Sequence, residues 1–348
     1  MTRRFQGNHL EKLGEKNTLP VPDAFRRVID NKPLVVHPSF RNLSVRFLRK
    51  DVVNHDLLAK LMEETGLNNS RLQRLLSRLP AEVLLNENSF TFPQAFMKFL
   101  AAFFNIENEV HLTARGDFFE ATDKTTSQLR HEALSEICAQ NLPDDFDPSE
   151  LVGNFGEVNN ETLESLSNTD VSDAYETLDA CVDQYSIAAL VNDEKSAELC
   201  RSAQKKILES AALDPTSLFK MSSRNFEKLV YSVFSELGCD CELTASSSDG
   251  GFDVFVRAKG VLGTQAQIFE CKRFGPDRPV GVEIVRSLLG TVTKDLCNGA
   301  TLVTTSTFTS GANALQSSNS YILNLMDYGQ LMKCVFKAVG PLDKAVHS

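Results

Sequence analysis

The chain has 348 residues, of which 42% are hydrophobic and 24% are charged, and its formal net charge at pH 7 is −10. This length is sufficient for two domains and predicts at least one sizeable core, which favours a globular protein. No segment approaches the roughly 18 consecutive apolar residues of a membrane span, and MTRRFQGNHLEK at the N-terminus lacks the apolar core of a signal peptide, so we expect a cytoplasmic protein with no membrane partner.

The N-terminal region, residues 1–140, is predicted to be mainly helical. Its first 50 residues are basic, with 11 Arg or Lys against 4 Asp or Glu. Four prolines in this segment, Pro20, Pro22, Pro33 and Pro38, would interrupt any long helix. We therefore expect a loosely structured start followed by short elements.

Residues 57–92 resemble a winged helix in the order of their elements. Leucines at helical spacing predict two helices, the second over about 70–79, and EVLLNENSFTF predicts a hairpin around Glu87–Asn88. In a winged helix, Arg71, Arg74 and Arg78 would face DNA from the second helix. The alternative is a helical pair that packs on its own domain or on a second subunit, and the sequence leaves both interpretations open.

Residues 93–210 are predicted to be mostly helical. Within this region, residues 141–214 are interpreted as an acidic helical spacer, since residues 141–200 carry 15 Asp or Glu against one Lys. A partner surface, a cover for a basic site and a set of solvated helix faces remain open as further interpretations of the acidic charge.

A C-terminal domain is predicted over residues 215–348. Its periodicity indicates helix, strand, strand, strand, helix, strand, helix, strand and helix, in that order. Such an order predicts an α/β (α+β) domain with a central mixed sheet flanked by helices. The eight cysteines form no CxxC pair and show no metal-ligand spacing with the histidines, which argues against a zinc site or a disulfide framework.

Three charged residues are predicted to converge at one end of this sheet. Glu270 and Lys272 lie two residues apart in the strand IFECKRF and therefore share a face. If 253–257 pairs antiparallel with 266–270, Asp253 lies next to Glu270, and any register whose paired numbers sum to an odd value places all three side chains on one face. Two neighbouring carboxylates repel each other unless a cation lies between them, and their hard oxygens suit Mg²⁺.

At these residues the sequence resembles the Mrr-like restriction endonucleases of the PD-(D/E)xK superfamily. The resemblance extends from about Ser223 to Lys333. Five blocks occur in the expected order: RNFEKLV, ELTASSSDGGFDVFV, FECKRF, VGVEIVRSLLG and ATLVTTSTFTSGA. The resemblance implies a restriction-endonuclease-like fold for the C-terminal domain.

The resemblance also implies a role for each matching residue. Asp253 and Glu270 would be ligands of Mg²⁺, with Mn²⁺ as a substitute, and the backbone carbonyl of Cys271 would complete the protein share of the ligands. Lys272 would orient or help deprotonate the attacking water and stabilise charge on the scissile phosphate. Glu227 would support the site through the metal or water.

Other polar residues of the C-terminal domain have more than one interpretation. Asp249 matches the first aspartate of the DGGxD block and is expected to form a turn. The hydroxyls of Thr304, Thr305, Ser306 and Thr309 would either contact phosphate or cap a helix beginning near Ser310. Basic residues available for nonspecific phosphate contact are Arg224, Lys228, Arg257, Lys259, Lys272, Arg273, Arg278 and Arg286.

The function expected from these residues is metal-dependent hydrolysis of double-stranded DNA by a homo-oligomer, in restriction or anti-phage defence. The alternative is a DNA-binding regulatory or structural protein whose nuclease fold is inactive. A glycoside hydrolase using Asp253 and Glu270 is disfavoured because Lys272 lies beside them and because the chain has no Trp for sugar stacking.

Overall fold

The chain forms two compact units. The computed structural model describes residues 4–14, 17–51, 53, 54, 57, 59, 62, 65, 67–80, 82–141, 171–184, 194–244, 251–260, 263–294 and 297–341. One unit contains the described residues up to His131 and the other contains those from Glu132 onward. None of the described helices is long and apolar enough to cross a membrane.

The N-terminal unit is built around antiparallel strands. Its strands are β1 (Asn8–Lys12), β2 (Thr18–Pro20), β3 (Leu34–Ser39), β4 (Ser44–Arg49), β5 (Glu82–Val83), β6 (Leu85–Asn86), β7 (Ser89–Thr91), β8 (Glu109–Ala114) and β9 (Phe118–Thr122). Its helices are α1 (Asp23–Ile29), α2 (Asn69–Leu76), α3 (Gln94–Phe104) and α4 (Lys124–Asn141), the last of which contains the boundary between the units. The strands form a six-stranded sheet in the order β1-β8-β9-β4-β3-β5 and a three-stranded sheet in the order β2-β7-β6.

The prediction of a mainly helical N-terminal region is wrong, because two hairpins form the centre of the six-stranded sheet. Pro38 lies inside β3 opposite Val45, so it does not interrupt the strand. In β8, Val110 and Leu112 alternate with less buried residues, which is the two-residue period of a strand. Gly116, at φ +75°, then allows the chain to turn into β9.

The winged helix is not confirmed, although some of its predicted elements are present. Helix α2 begins after Asn68, whose side chain accepts from the backbone of Arg71, and β6 and β7 form the predicted hairpin around Glu87–Asn88. However, β7 also pairs with β2, and β5 pairs with β3 of the large sheet. The hairpin is therefore shared with the rest of the unit. Leu58, Leu61 and Gly66 of the first predicted helix lie outside the described residues.

The C-terminal unit contains a five-stranded mixed sheet. Its strands are β10 (Asp240–Leu243), β11 (Val254–Gly260), β12 (Gly263–Lys272), β13 (Gly299–Thr304) and β14 (Leu323–Met326), in that spatial order. Its further helices are α5 (Val171–Gln184), α6 (Glu194–Leu213), a 3-10 helix (Pro215–Phe219), α7 (Ser223–Glu236), α8 (Val282–Lys294), α9 (Ser310–Ser318) and α10 (Tyr328–Val339). β10, β11 and β12 pair antiparallel, whereas β12, β13 and β14 pair parallel. The predicted central mixed sheet flanked by helices is therefore confirmed.

This compact unit begins before residue 215, the predicted domain boundary. Helix α6 packs against α7 and α10, and α5 packs against both α6 and α7. The buried residues of α5 are Ala174, Tyr175, Leu178 and Cys181, which recur at helical spacing. The described parts of the acidic segment are therefore packed against the helices that flank the sheet.

One pair of cysteines departs from the sequence analysis. Cys181 of α5 and Cys200 of α6 form a disulfide, whereas the other six cysteines are free. The sequence analysis looked for closely spaced cysteines. It missed this pair because the two cysteines lie on different helices, 19 residues apart. The disulfide fixes α5 to α6.

A buried polar cluster lies on one face of the six-stranded sheet in the N-terminal unit. The Nε atom of Arg46 lies 2.8 Å from Oε1 of Glu120, and the Nε atom of Arg115 lies 3.0 Å from Oε2 of the same carboxylate. His37 is the cross-strand neighbour of Arg46 and is 3% exposed. Burial, assisted by the positive charge of Arg46, lowers the pKa of His37 to about 3.

We expect His37 to make the stability of this unit depend on pH. Its ordinary pKa is 6.5, so the unfolded chain binds a proton more readily than the folded one, and stability is lost as the pH falls below about 6.5 towards the folded pKa. Between pH 7 and pH 5, the wild type should lose about 2 kcal/mol more than the His37→Leu variant. Amide exchange in β3 and β4, corrected for the intrinsic rate at each pH, measures this difference. An equal pH dependence in both proteins would show that His37 does not titrate in this way.

Candidate active site

The register of β11 against β12 brings the predicted charged residues together. Val254 pairs with Phe269 and Phe255 pairs with Ile268, so the antiparallel arrangement has the odd-sum register that the sequence required. The amide of Asp253 donates to the carbonyl of Phe269 at 2.8 Å, which continues the pairing beyond the end of β11. Asp253 therefore lies beside Glu270.

The three side chains make specific contacts at this end of the sheet. Nζ of Lys272 lies 2.8 Å from Oε1 of Glu270. Oδ2 of Asp253 accepts a hydrogen bond of 2.6 Å from the amide of Cys271. Glu270 is mostly buried, but a third of the Lys272 side chain is exposed. Glu270 is thus largely shielded from solvent, while the Lys272 side chain remains partly accessible.

Helix α7 brings a third carboxylate close to the two strands. The hydroxyl of Ser222 accepts from the amide of Asn225 and caps the start of the helix, which places Glu227 in its second turn. Nη1 of Arg224 donates to Oε2 of Glu227 at 3.1 Å. Burial and the nearby charge of Asp253 raise the pKa of Glu227 above its ordinary value.

The carboxylates of the site are all less acidic than usual. Burial raises the pKa of Asp253, and the hydrogen bond from Cys271 and the charge of Lys272 offset this only in part. Burial also raises the pKa of Glu270 against the opposing hydrogen bond with Lys272. For Lys272, burial alone would lower the pKa, but the bond to Glu270 and the surrounding negative charge outweigh it, so the pKa is raised. Lys272 therefore remains a cation at neutral pH.

The donor set is compatible with a hard divalent ion. Two carboxylates at adjacent strand ends, those of Asp253 and Glu270, are the sort of ligands with which proteins hold Mg²⁺, while water fills most other positions. The described part of the chain contains no group of three or more His, Cys, Asp or Glu side chains arranged to enclose a metal. Much of the coordination would therefore have to come from water and substrate.

The hydroxyl residues after β13 support the backbone. Thr304 Oγ1 donates to the carbonyl of Lys272 at 2.7 Å, and Thr305 Oγ1 donates to the carbonyl of Phe274 at 2.6 Å. Both threonines and Ser306 are fully buried, which excludes direct phosphate contact in this arrangement. Thr309 caps α9, so the prediction of a capped helix beginning near Ser310 is confirmed.

Several of the basic residues expected to meet phosphate are committed to protein contacts. The side chain of Lys228 is 2% exposed and bonds to Asp179. Arg257 lies on the sheet surface, paired with Asp240 at 3.0 Å and with Glu242 at 2.9 Å. The interpretation of Lys228 as a phosphate contact is therefore wrong.

The remaining predicted residues lie elsewhere or are not described. Asp249 lies outside the described residues. Arg71 and Arg74 belong to α2 and Arg78 follows it, in the N-terminal unit; Arg74 and Arg78 are exposed. Their helix buries Leu72 and Leu75, as the spacing predicted.

Sequence reasoning missed two residues that lie behind the carboxylates. Arg224 was interpreted only as a phosphate contact, although the FE pair of α7 lies within its reach. Asp179 lies far from β11 and β12 in sequence, inside a segment whose acidic residues all resembled surface charges. The one available signal was Lys228, which lies among the apolar positions of an amphipathic helix. A buried lysine requires a carboxylate partner, and that requirement pointed to an acidic residue such as Asp179.

Comparison with known proteins identifies the C-terminal region. Residues 218–335 match the sequence model of the Mrr catalytic domain, described as a restriction endonuclease. The chain is also 24% identical over 168 residues to the transcriptional regulator MraZ of Ruegeria pomeroyi, a match that covers 45% of this chain and 99% of the relative. This match is longer than the 218–335 segment and must include residues outside it.

Two solved restriction endonucleases were found by structural similarity. The DNA modification-dependent restriction endonuclease AspBHI is 19% identical, with 40% of this chain and 35% of that chain covered, at a TM-score of 0.29. MspJI, solved in complex with a 27-mer oligonucleotide, is 14% identical, with 88% of this chain and 72% of that chain covered, at a TM-score of 0.28. These TM-scores are too low to establish a shared arrangement. Residues 218–335 match the family model, and the same region contains the mixed sheet with Asp253, Glu270 and Lys272 at one end. The C-terminal region therefore belongs to the Mrr-like restriction endonuclease family.

Proposed function

We propose that this protein is a metal-dependent endodeoxyribonuclease that hydrolyses phosphodiester bonds of double-stranded DNA in restriction or anti-phage defence. The observation that supports the proposal is the convergence of Asp253, Glu270 and Lys272 at one sheet end within a restriction endonuclease domain. Such a role would be performed in the cytoplasm, where incoming DNA is encountered.

Asp253, Glu270 and the carbonyl of Cys271 would hold Mg²⁺, and Mn²⁺ would substitute for it. Burial raises the pKa of both Asp253 and Glu270, and the charge of Asp253 raises the pKa of Glu270 further, so a cation between the two carboxylates would stabilise their ionised forms. A bound divalent ion supplies Lewis acidity, which makes water a better nucleophile at neutral pH and relieves negative charge at phosphorus.

The protein side chains would share the remaining tasks. Lys272 would donate to the negative charge that develops on the scissile phosphate, since its ammonium is charged and partly exposed. Glu227 would accept a hydrogen bond from water at the site. The charges of Arg224 and Lys272 act on its carboxylate, as they do on that of Asp253. Neither task requires a residue outside the C-terminal unit.

We further propose a homo-oligomer, a dimer or higher, for cleavage of both strands. A single site of this type hydrolyses one strand at a time, and we find one such site among the residues that the structure describes. Two copies of the chain would cut both strands within one bound complex.

The alternative function is a DNA-binding regulator or structural protein with an inactive nuclease fold. The specific observation that favours it is the likeness to a transcriptional regulator, which includes residues outside the 218–335 segment. The two functions differ in whether binding to DNA is followed by cleavage. Cleavage of one plasmid, prepared with and without base methylation, would in addition show whether modification of the target decides the outcome.

We predict that cleavage requires a divalent cation and the charged triplet. Excess EDTA should abolish cutting, and Asp253→Asn or Lys272→Ala should each lower the cleavage rate by at least about 100-fold, because each removes a group that stabilises developing charge. DNA affinity should survive in Lys272→Ala, since phosphate contacts elsewhere position the protein. Plasmid nicking and gel-shift assays measure the two properties.

Glu242→Gln is the matched control for these variants. Glu242 is an exposed carboxylate on β10 of the same sheet, paired with Arg257, and its loss should leave cleavage unchanged. Cutting that persists in excess EDTA would contradict the metal mechanism. Loss of DNA affinity in Lys272→Ala would contradict the separation of binding from cleavage.

We propose that Arg71, Arg74 and Arg78 contribute to DNA binding by the N-terminal unit. Replacing all three by Ala should weaken binding by the full-length protein and lower the slope of log affinity against log salt by about 2 to 3, because fewer counterions are released. Fluorescence anisotropy at several salt concentrations measures the slope. Residual metal-dependent nicking by the C-terminal unit should persist.

The control for this variant is a second triple replacement, Arg201→Ala with Lys205→Ala and Lys206→Ala. These three cations are exposed on α6 and match the first set in number and charge. An unchanged salt slope in the α2 variant, or an equal loss in both variants, would refute a specific role for this surface and would favour protein packing by that segment.

A further inference from the structure

A helix outside the matched catalytic segment neutralises a lysine buried beneath the active site. Lys228 of α7 donates from Nζ to the carbonyl of Tyr175 at 2.9 Å and to the carboxylate of Asp179, both on α5. Its Nζ also lies 5.7 Å from the centroid of the Tyr175 ring. A buried ammonium requires a counter-ion, and Asp179 is the carboxylate that contacts it.

The same carboxylate contacts a second cation of α7. Oδ1 of Asp179 lies 3.5 Å from Nε of Arg224. Arg224 and Lys228 are four residues apart and therefore lie on one face of their helix. Asp179 thus joins both cations, and it is only 39% exposed while doing so.

Arg224 extends from Asp179 to two parts of the active site. Its Nη1 donates to Oε2 of Glu227 at 3.1 Å and to the carbonyl of Thr244 at 2.8 Å. Thr244 in turn holds the backbone of Asp253, since its amide and its hydroxyl each lie 3.0 Å from the Asp253 carbonyl. One guanidinium therefore connects the carboxylate of Glu227 with the segment that carries Asp253.

We propose that Asp179 is a positioning residue of the nuclease site, because it fixes through Arg224 the orientation of Glu227 and of the backbone at Asp253. This inference rests on the proposed function for its effect on cleavage. Its effect on the geometry of the site stands independently.

The shape of the guanidinium explains why an ion pair at Nε matters. The five N–H donors of Arg lie in one rigid plane, so a partner at Nε sets the directions in which the Nη atoms donate. Without Asp179, the plane of Arg224 is restrained only through Nη1, by its bonds to Glu227 and to the carbonyl of Thr244. Nη1 then faces both acceptors together for a smaller fraction of the time.

Helix α5 is itself held in place by other contacts. Leu178 and Cys181 are buried on either side of Asp179 in sequence, and Cys181 is joined to Cys200 of α6. Asp179 therefore projects from a fixed helix. A carboxylate fixed in this way can orient Arg224 without help from DNA.

The test uses full-length proteins in which the buried lysine no longer needs a partner. Asp179→Asn alone would leave Lys228 as an uncompensated buried charge and risks unfolding. The reference is therefore Lys228→Met, and the test variant is Lys228→Met with Asp179→Asn. Glu176→Gln, which removes an exposed carboxylate from the same helix, is the control for loss of charge.

Amide exchange at Thr244 and Cys271 gives a measure of geometry that needs no cleavage. Both amides donate to Asp253, one to its carbonyl and the other to its carboxylate. In the double variant they should exchange about 10-fold faster than in the reference, because a lost hydrogen-bond network costs on the order of 1.4 kcal/mol, which corresponds to that ratio. Glu176→Gln should leave both rates unchanged.

Steady-state cleavage of plasmid DNA gives the second measure. The double variant should show kcat at least about 10-fold below the reference at unchanged KM, because displaced catalytic groups slow the reaction without removing DNA contacts. A rise in KM by a similar factor would overturn the proposal. A general rise in exchange rates throughout the sheet would also overturn it, because it would show that Asp179 serves only folding.

The two measures separate this inference from the proposed function. If the wild type cuts no DNA with either Mg²⁺ or Mn²⁺, the nuclease proposal fails, but the exchange rates at Thr244 and Cys271 still decide whether Asp179 positions the site. Equal exchange in the double variant and the reference would overturn the inference, whether or not the protein cuts DNA.

Discussion

The antiparallel register between β11 and β12 is the constraint on which the candidate site depends. Side chains alternate between the two faces of a strand, so a shift of one residue would transfer Glu270 and Lys272 to the face opposite Asp253. The observed pairing of Val254 with Phe269 avoids this, and the apolar residues Val254 and Ile268 remain buried in the same arrangement. The observed register therefore places all three charged side chains on one face of a sheet that is buried on both sides.

Two threonine side chains support the backbone of Asp253 and Lys272 at this end of the sheet. On one side, Thr304 of the neighbouring parallel strand satisfies the carbonyl of Lys272. On the other, Thr244 satisfies the carbonyl of Asp253. Backbone groups at the end of a sheet lack ladder partners, and burying them unpaired would cost free energy. Hydroxyl side chains at these positions thus allow the site to be both enclosed and ordered.

The sequence predicted the catalytic sheet because its information is local. Alternation, turn residues and the ExK spacing lie within short segments. The register between the two strands was left as a condition, and the structure supplies the odd-sum pairing. The N-terminal unit was misread because Pro38 and the neighbouring prolines were interpreted only as limits on helix length, whereas Pro38 lies within β3. The contacts of Asp179 were not predictable, since a surface carboxylate and a counter-ion for a distant buried lysine have the same local sequence. The disulfide between Cys181 and Cys200 was not predicted either, because nothing in the local sequence of either cysteine indicates its partner.

Asp179 lies outside the segment that matches the family, although it contacts residues inside that segment. Sequence similarity to the Mrr catalytic domain begins at residue 218. The segment needed to neutralise its buried charges begins before residue 218, because the counter-ion of Lys228 lies on α5. An excised segment that began at the point of similarity would contain a lysine with no neutralising carboxylate and a helix face with no cover. The segment in which Lys228 is neutralised is therefore longer than the segment that matches the family, because it includes α5.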